Sequence, residues 1–266
     1  MSTTERTPAG RLVRTWPPPD DPWATLLIVH GLGEHSGRYE RVGAQLSEAG
    51  IAVRSFDLMG FGASDGRRAF AESVGVYLDE IEEELANSRR ADVPAALLGH
   101  SMGGLLAYRY AMSPAPQPDA LVLSSPAFDS TDPAVKKLVA PWVAKVAPRL
   151  AAPNSIKAEQ LSRDPAVGEA YFADPLVHTK MTTALGTALL AAIAASSGFP
   201  APSVPTYVYH GAADTIVPPQ SSVALGERDN VTRRLYANLR HETMNEPEGA
   251  QVVADVIAWL REILIR

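Results

Sequence analysis

The chain contains no cysteine. That absence removes a disulfide framework, a thiolate nucleophile and any thiolate-ligated zinc site. Basic clusters are also missing: Arg67-Arg68, Arg89-Arg90 and Arg233-Arg234 are isolated pairs, and the formal charge is −6. Nucleic-acid binders need clustered Lys and Arg to displace phosphate counterions, so no nucleic-acid partner is expected. No apolar run is long enough to span a bilayer; the longest, around Ala184–Ala195, is interrupted by Gly186 and Thr187. The first residues, MSTTERTPAG, lack the apolar core of a secretory signal. These absences predict a soluble, cytoplasmic protein, with peripheral membrane association left open.

What remains suits one large domain, or a domain with an insertion. There are 266 residues, 46% of them hydrophobic and 20% charged. Short apolar segments recur: Thr25–His30, Ile51–Phe56, Ala95–Leu98, Ala120–Leu123 and Thr206–Tyr209. Each reads as a buried strand. Helical periodicity separates them, with Tyr39, Val42, Leu46 and Ala49 on one face, then Tyr77, Leu78, Ile81 and Leu85 on another. The segment Pro247–Ile265 carries Val252, Val253, Val256, Ile257, Leu260 and Leu264 on a final stripe. Alternating strand and helix predicts an α/β fold with a mostly parallel sheet covered on both faces.

The rhythm breaks between residues 127 and 199. No buried strand is evident there, and two apolar faces, Leu138/Val139/Trp142/Val143 and Leu185/Leu189/Leu190/Ile193, read as helical. The expected organisation is a core of residues 1–126 and 200–266 with a helical cap, 127–199, over the carboxyl ends of the strands.

Gly99-His100-Ser101-Met102-Gly103 follows a strand and precedes the helical Gly104–Ala111. This is the G-x-S-x-G nucleophile elbow of the α/β-hydrolase fold. A sharp strand-to-helix turn exposes the serine Oγ at a helix N-terminus, and only neighbours without side chains let the turn close. In that fold the triad runs Ser, acid, His. His241 follows the expected last strand, Arg233–Tyr236, and is the candidate base among six histidines. His30 and His210 end strands and are expected to bond backbone there; His100 lies in the elbow and His178 in the cap. Asp214, in the turn after Thr206–Tyr209, is the candidate acid, with Asp129 as fallback. The bland reading of Asp214 is a turn residue satisfying local amides. The backbone amides of Met102 and of Leu32, in the loop His30-Gly31-Leu32-Gly33, are the expected oxyanion donors. A nucleotide-binding loop would need a Lys and a Ser or Thr that this stretch lacks.

Four stretches, His30–Tyr39 (HGLGEHSGRY), Phe56–Gly66 (FDLMGFGASDG), Gly99–Gly104 (GHSMGG) and Leu161–Leu176, together resemble monoacylglycerol lipases and their bacterial lysophospholipase-like relatives. The resemblance extends through Tyr209–Pro219 and His241–Glu248. It implies cleavage of monoacylglycerol to glycerol and fatty acid without cofactor or metal, using Ser101, Asp214 and His241. It also implies that Glu34, Arg38 and the cap residue Tyr171 lie near the alcohol end of the substrate. Glu34 and Arg38 read equally well as an ion pair bracing the loop. Two departures stand out: Phe61 where relatives carry His, and Met244 where the animal enzymes carry a second His.

A small-molecule lipid ester is thus the expected partner, with the cap as the place for any membrane contact; oligomeric state is not legible. A lysophospholipase, a thioesterase, a short-chain carboxylesterase and a non-catalytic binding protein on the same scaffold are the alternatives. Dehalogenase and epoxide-hydrolase chemistry needs an Asp at the elbow, where this chain has Ser101.

Overall fold

A computed structural model of the chain describes residues 2–129 and 141–265. Among these, eight strands form one sheet: β1 (Thr3–Arg6), β2 (Leu12–Trp16), β3 (Ala24–Val29), β4 (Ile51–Phe56), β5 (Ala95–His100), β6 (Ala120–Ser124), β9 (Thr206–Gly211) and β10 (Val231–Tyr236). Their spatial order is β1-β2-β4-β3-β5-β6-β9-β10. β1 and β2 join antiparallel, and every pair from β4 to β10 is parallel.

The fold follows from where the aliphatic side chains go. β3, β5, β6 and β9 are buried along their whole length, so polar–apolar alternation is absent from them. Successive residues still point to opposite faces. Leu27 and Val29 join an apolar cluster with Tyr77, Ile81, Leu105 and Leu106, from helices α2 (Gly75–Ser88) and α3 (Met102–Ala111). Leu26 and Ile28 join a second cluster with Val42 and Leu46 of α1 (Glu40–Glu48) and with Val252, Val256 and Leu260 of the C-terminal helix Gly249–Leu264.

β1 and β2 were not legible as placed strands. β1 is exposed at all four residues and β2 buries only Val13 and Trp16, so neither carries a strong apolar signature.

The connection between β6 and β9 departs from the expected all-helical segment. Its described part contains helical residues 141–146 and the helices Ala158–Leu161, Pro165–Ala173 and Thr183–Ala195. It also contains an antiparallel ribbon of β7 (Ala151–Pro153) and β8 (Lys180–Thr182). Three-residue strands held by backbone pairing leave no periodicity to read. Leu185 and Ala192 of the helix Thr183–Ala195 belong to the same cluster as α3, so part of this segment is packed into the body of the molecule. Of the face Leu138/Val139/Trp142/Val143, the first two residues lie outside the described residues, and Trp142 is exposed.

The topology also decides where a site can form. The chain places β4 on one side of β3 and β5 on the other. The order in which the chain fills the sheet reverses there, a topology that favours a crevice at the carboxyl ends of β3 and β5. His30 and Ser101 are the first residues past those ends.

Candidate active site

Ser101 occupies the single residue between β5 and α3, with φ 53° and ψ −116°. A non-glycine residue rarely holds such a conformation, and here its surroundings enforce it. The Ser101 amide donates to Ser124 O at 2.9 Å, and its carbonyl accepts from Leu105 and Ala127 amides at 3.0 Å each. The flanking glycines let the turn close. A Cβ on Gly99 would overlap the Gly103 carbonyl, and one on Gly103 would overlap the carbonyls of Val29 and His30. The spacing of the motif is therefore a steric requirement on both sides of the serine. Ser101 keeps 9% of its surface exposed.

The loop leaving β3 runs beside it. A Cβ placed on Gly31 would stand 3.3 Å from Ser101 Cβ, so the backbone immediately before Leu32 passes close to the serine. Met102 begins α3, in the first turn, whose amides have no partner within the helix. His30 closes the loop's base: its Nδ1 lies 2.8 Å from Gly31 O, and its Nε2 accepts from the Leu58 amide at 3.0 Å. Phe61 is fully buried and packs edge-on against His30, with ring centroids 5.6 Å apart, which accounts for an aromatic ring in that turn.

Asp214 and His241 meet at the end of β9. His241 Nδ1 lies 2.7 Å from Asp214 Oδ2. Asp214 Oδ1 accepts from the amides of Ile216 and Val217 at 2.8 and 2.9 Å. One oxygen therefore fixes the carboxylate to its own turn and the other holds the imidazole. The local-turn reading of Asp214 and the reading as a partner for His241 are both realised, by different oxygens. The fallback Asp129 is exposed.

The histidine loop is tethered on two sides. Ser125 Oγ donates to His241 O at 2.9 Å, and the Glu242 amide donates to Leu161 O at 2.8 Å, at the end of the helix Ala158–Leu161. The His241 ring centroid lies 4.9 Å from that of His100, which places the imidazole over the elbow. Among the described residues its side-chain hydrogen bond goes to Asp214 rather than to Ser101. Nucleophile–base contacts are commonly loose before substrate arrives and tighten in the Michaelis complex.

Electrostatics single out the same histidine. Burial drives His100 down to about 4, helped by the neighbouring His241, and drives His210 down to about 3. His30 and His178 are also lowered, chiefly by burial. Burial opposes charging of His241 as well, but there the Asp214 carboxylate and its hydrogen bond outweigh it, and the pKa rises above its ordinary value. For Asp214, burial pushes upward and loses to His241 and the two turn amides, so its pKa is lowered. His210 bonds Ser222 Oγ at 3.1 Å rather than the backbone expected for it.

Beside the imidazole lies a buried ion network. Glu34 Oε1 accepts from the Gly31 amide at 2.6 Å and from Tyr39 OH at 2.7 Å, and its Oε2 accepts from Arg38 at 2.7 Å. Arg38 also donates to both oxygens of Glu242, at 2.6 and 2.8 Å. The Tyr171 ring lies against the guanidinium, 4.8 Å from centroid to Cζ. Burial disfavours the Glu34 carboxylate, yet Arg38 and its hydrogen-bond donors overcome that and bring it to about 2. The expected ion pair of Glu34 and Arg38 is formed, and Glu242, which the sequence reading had not singled out, joins it. Its signal was there to be read: an acid directly after the candidate base. Met244 is buried nearby. Among the described residues no group of three or more His, Asp or Glu is arranged to hold a metal ion.

A family model described as "Serine aminopeptidase, S33" matches residues 20–248. The chain is 34% identical to a monoacylglycerol lipase of Mycolicibacterium smegmatis, over 92% of this chain and 90% of that one. The crystal structure of a monoacylglycerol lipase from Paleococcus ferrophilus superposes with a TM-score of 0.83 at 30% identity, covering 94% of this chain and 98% of that one. A soluble variant of monoglyceride lipase from Saccharomyces cerevisiae, in complex with a substrate analogue, superposes with a TM-score of 0.86 over 98% and 94% of the two chains. At 21% identity that last likeness concerns the fold alone.

Proposed function

The chain belongs to the α/β-hydrolase family described as serine aminopeptidase S33 and is a carboxylic ester hydrolase, and from that premise we propose that it cleaves monoacylglycerol to glycerol and fatty acid. The observation that carries this reading is the Asp214–His241 pair, 2.7 Å apart, set over an elbow that ends in Ser101.

In the proposed mechanism Ser101 Oγ attacks the ester carbonyl carbon and its proton passes to His241. The oxyanion that forms is held by the amides of Leu32 and Met102. Collapse breaks the bond to the alcohol oxygen, and His241 returns the proton to the departing glycerol. Water then attacks the acyl-enzyme, gives a proton to His241, and releases the fatty acid while Ser101 regains its hydrogen. Asp214 keeps the imidazole in the tautomer that can accept from serine and stabilises the imidazolium between the two transfers. Tyr171 borders the alcohol end, where Glu34 and Arg38 brace the wall.

An aminopeptidase reading follows from the family description. It would need an unpaired carboxylate to hold a substrate ammonium, and Glu34 and Glu242 are both committed to Arg38. The segment 127–199 acts as a cap in this proposal, its apolar residues receiving the acyl chain at roughly 0.8 kcal/mol per buried methylene. Among the described residues no helix is long and apolar enough to cross a membrane. Trp142, Val146 and Leu150 are 68%, 84% and 55% exposed, with Lys145 above the Trp142 ring, and this suits peripheral contact of a cytoplasmic protein with a lipid surface.

Chain-length profiling tests the substrate. Glycerol release from long-chain monoacylglycerols should exceed hydrolysis of lysophospholipids and acyl thioesters. A preference for thioesters, or for acetyl and butyryl esters alone, would replace the proposal with one of those activities.

A further inference from the structure

We propose that Glu242 is a positioning residue, and that the chain Glu34–Arg38–Glu242 locks the oxyanion loop and the histidine loop into one register. The inference rests on the reading of Ser101, His241 and Leu32 given above and adds a residue to it.

The connectivity is direct. At one end Glu34 holds the amide of Gly31 at 2.6 Å, the residue before Leu32. At the other end Glu242 is covalently joined to His241. Arg38 spans them, forming one bond to Glu34 and a two-point contact with Glu242, a residue 204 positions away in sequence. A guanidinium is suited to this because its rigid planar fork grips a carboxylate at two points and so restricts their relative orientation. All three side chains are nearly buried: Glu34 and Glu242 are each 5% exposed and Arg38 11%. The Tyr171 ring covers the guanidinium, and the Leu161 carbonyl holds the Glu242 amide. Water therefore competes little, and the geometry is defined by the charges themselves.

Two groups must act together on one carbonyl, the base on the attacking hydroxyl and the amide on the developing oxyanion. They sit on loops at opposite ends of the sequence. Ser125 and Leu161 hold the histidine loop to other elements, whereas Arg38 ties it to the oxyanion loop itself, and small misplacements of catalytic groups cost rate steeply. Tyr39 supports the same carboxylate of Glu34 at 2.7 Å, which anchors the clamp to the start of α1. The groups facing His241 from each packed element are Asp214 after β9, His210 on β9, His100 at the elbow, Glu34 and Arg38 on the loop after β3, and Glu242 on its own loop.

The test is steady-state kinetics of Glu242→Gln and Arg38→Lys with para-nitrophenyl butyrate and a monoacylglycerol, alongside melting curves. For Glu242→Gln, kcat should fall on the order of 10- to 100-fold with KM nearly unchanged, and the acid limb of the kcat profile should move to lower pH because one anion beside His241 is gone. Arg38→Lys should lower kcat similarly, since a compact ammonium cannot grip both carboxylates. Wild-type kcat and an unmoved acid limb in folded Glu242→Gln would overturn the proposal. Failure of both variants to fold would overturn it too, assigning the ion pairs to folding alone. Failure of the ester-hydrolase reading looks different: the wild type itself would turn over neither substrate.

Discussion

The imidazole of His241 is held 2.7 Å from the carboxylate of Asp214, by a bond joining the loops after the last two strands of the sheet. Because Asp214 Oδ1 is fixed by two turn amides, the carboxylate that holds the ring is itself held in place. Asp214→Asn would preserve the shape and lose the charge. We expect a folded protein whose kcat falls on the order of 10⁴-fold, read from ester hydrolysis. A loss of less than about tenfold would leave the carboxylate without its proposed part.

The pH dependence follows from the raised pKa of His241. The base works only when neutral, so activity should fall on the acid side with a midpoint above the ordinary histidine value of 6.5. Stability has the opposite sign. Folding raises this pKa, so the contribution of the protonated ring to stability is full below the unfolded value and is lost as pH rises through the folded one. Asp214, whose pKa is lowered on folding, contributes above the unfolded carboxylate value and loses that contribution as pH falls through its own. A kcat/KM profile checks the first point: a midpoint below 6.5 would contradict it.

The elbow makes a steric prediction. Gly103→Ala puts a methyl into the carbonyls of Val29 and His30, both backbone and unable to yield cheaply. Stability should drop by about 2 kcal/mol or more, seen as a lowered melting temperature, with activity lost alongside.

The exposed residues of the segment 127–199 can be separated from the chemistry. Trp142→Ser with Val146→Ser should reduce sedimentation with lipid vesicles while leaving turnover of a soluble short-chain ester unchanged. Undiminished vesicle binding would remove this surface from the account.

Most of the sheet was legible in sequence because β3, β5, β6 and β9 each carry a short, mostly apolar run, the pattern of a strand covered on both faces. Ser101, Asp214 and His241 could be singled out as candidates because each follows a strand in the order that the elbow dictates, and the structure brings Asp214 and His241 together. β1, β2 and the β7–β8 ribbon were not, since strands that bury little carry little pattern. Glu242 escaped for another reason. Its place directly after the candidate base marks it locally, but its part lies in a contact with Arg38 across 204 residues that no local pattern announces.

The proposed hydrolysis depends most on Ser101 as the nucleophile, and labelling with a fluorophosphonate probe tests that directly. The wild type should be modified stoichiometrically at Ser101, as located by peptide mass spectrometry, and Ser101→Ala should take up none. Folded wild-type protein that resists the probe, or label that persists in Ser101→Ala, would contradict it.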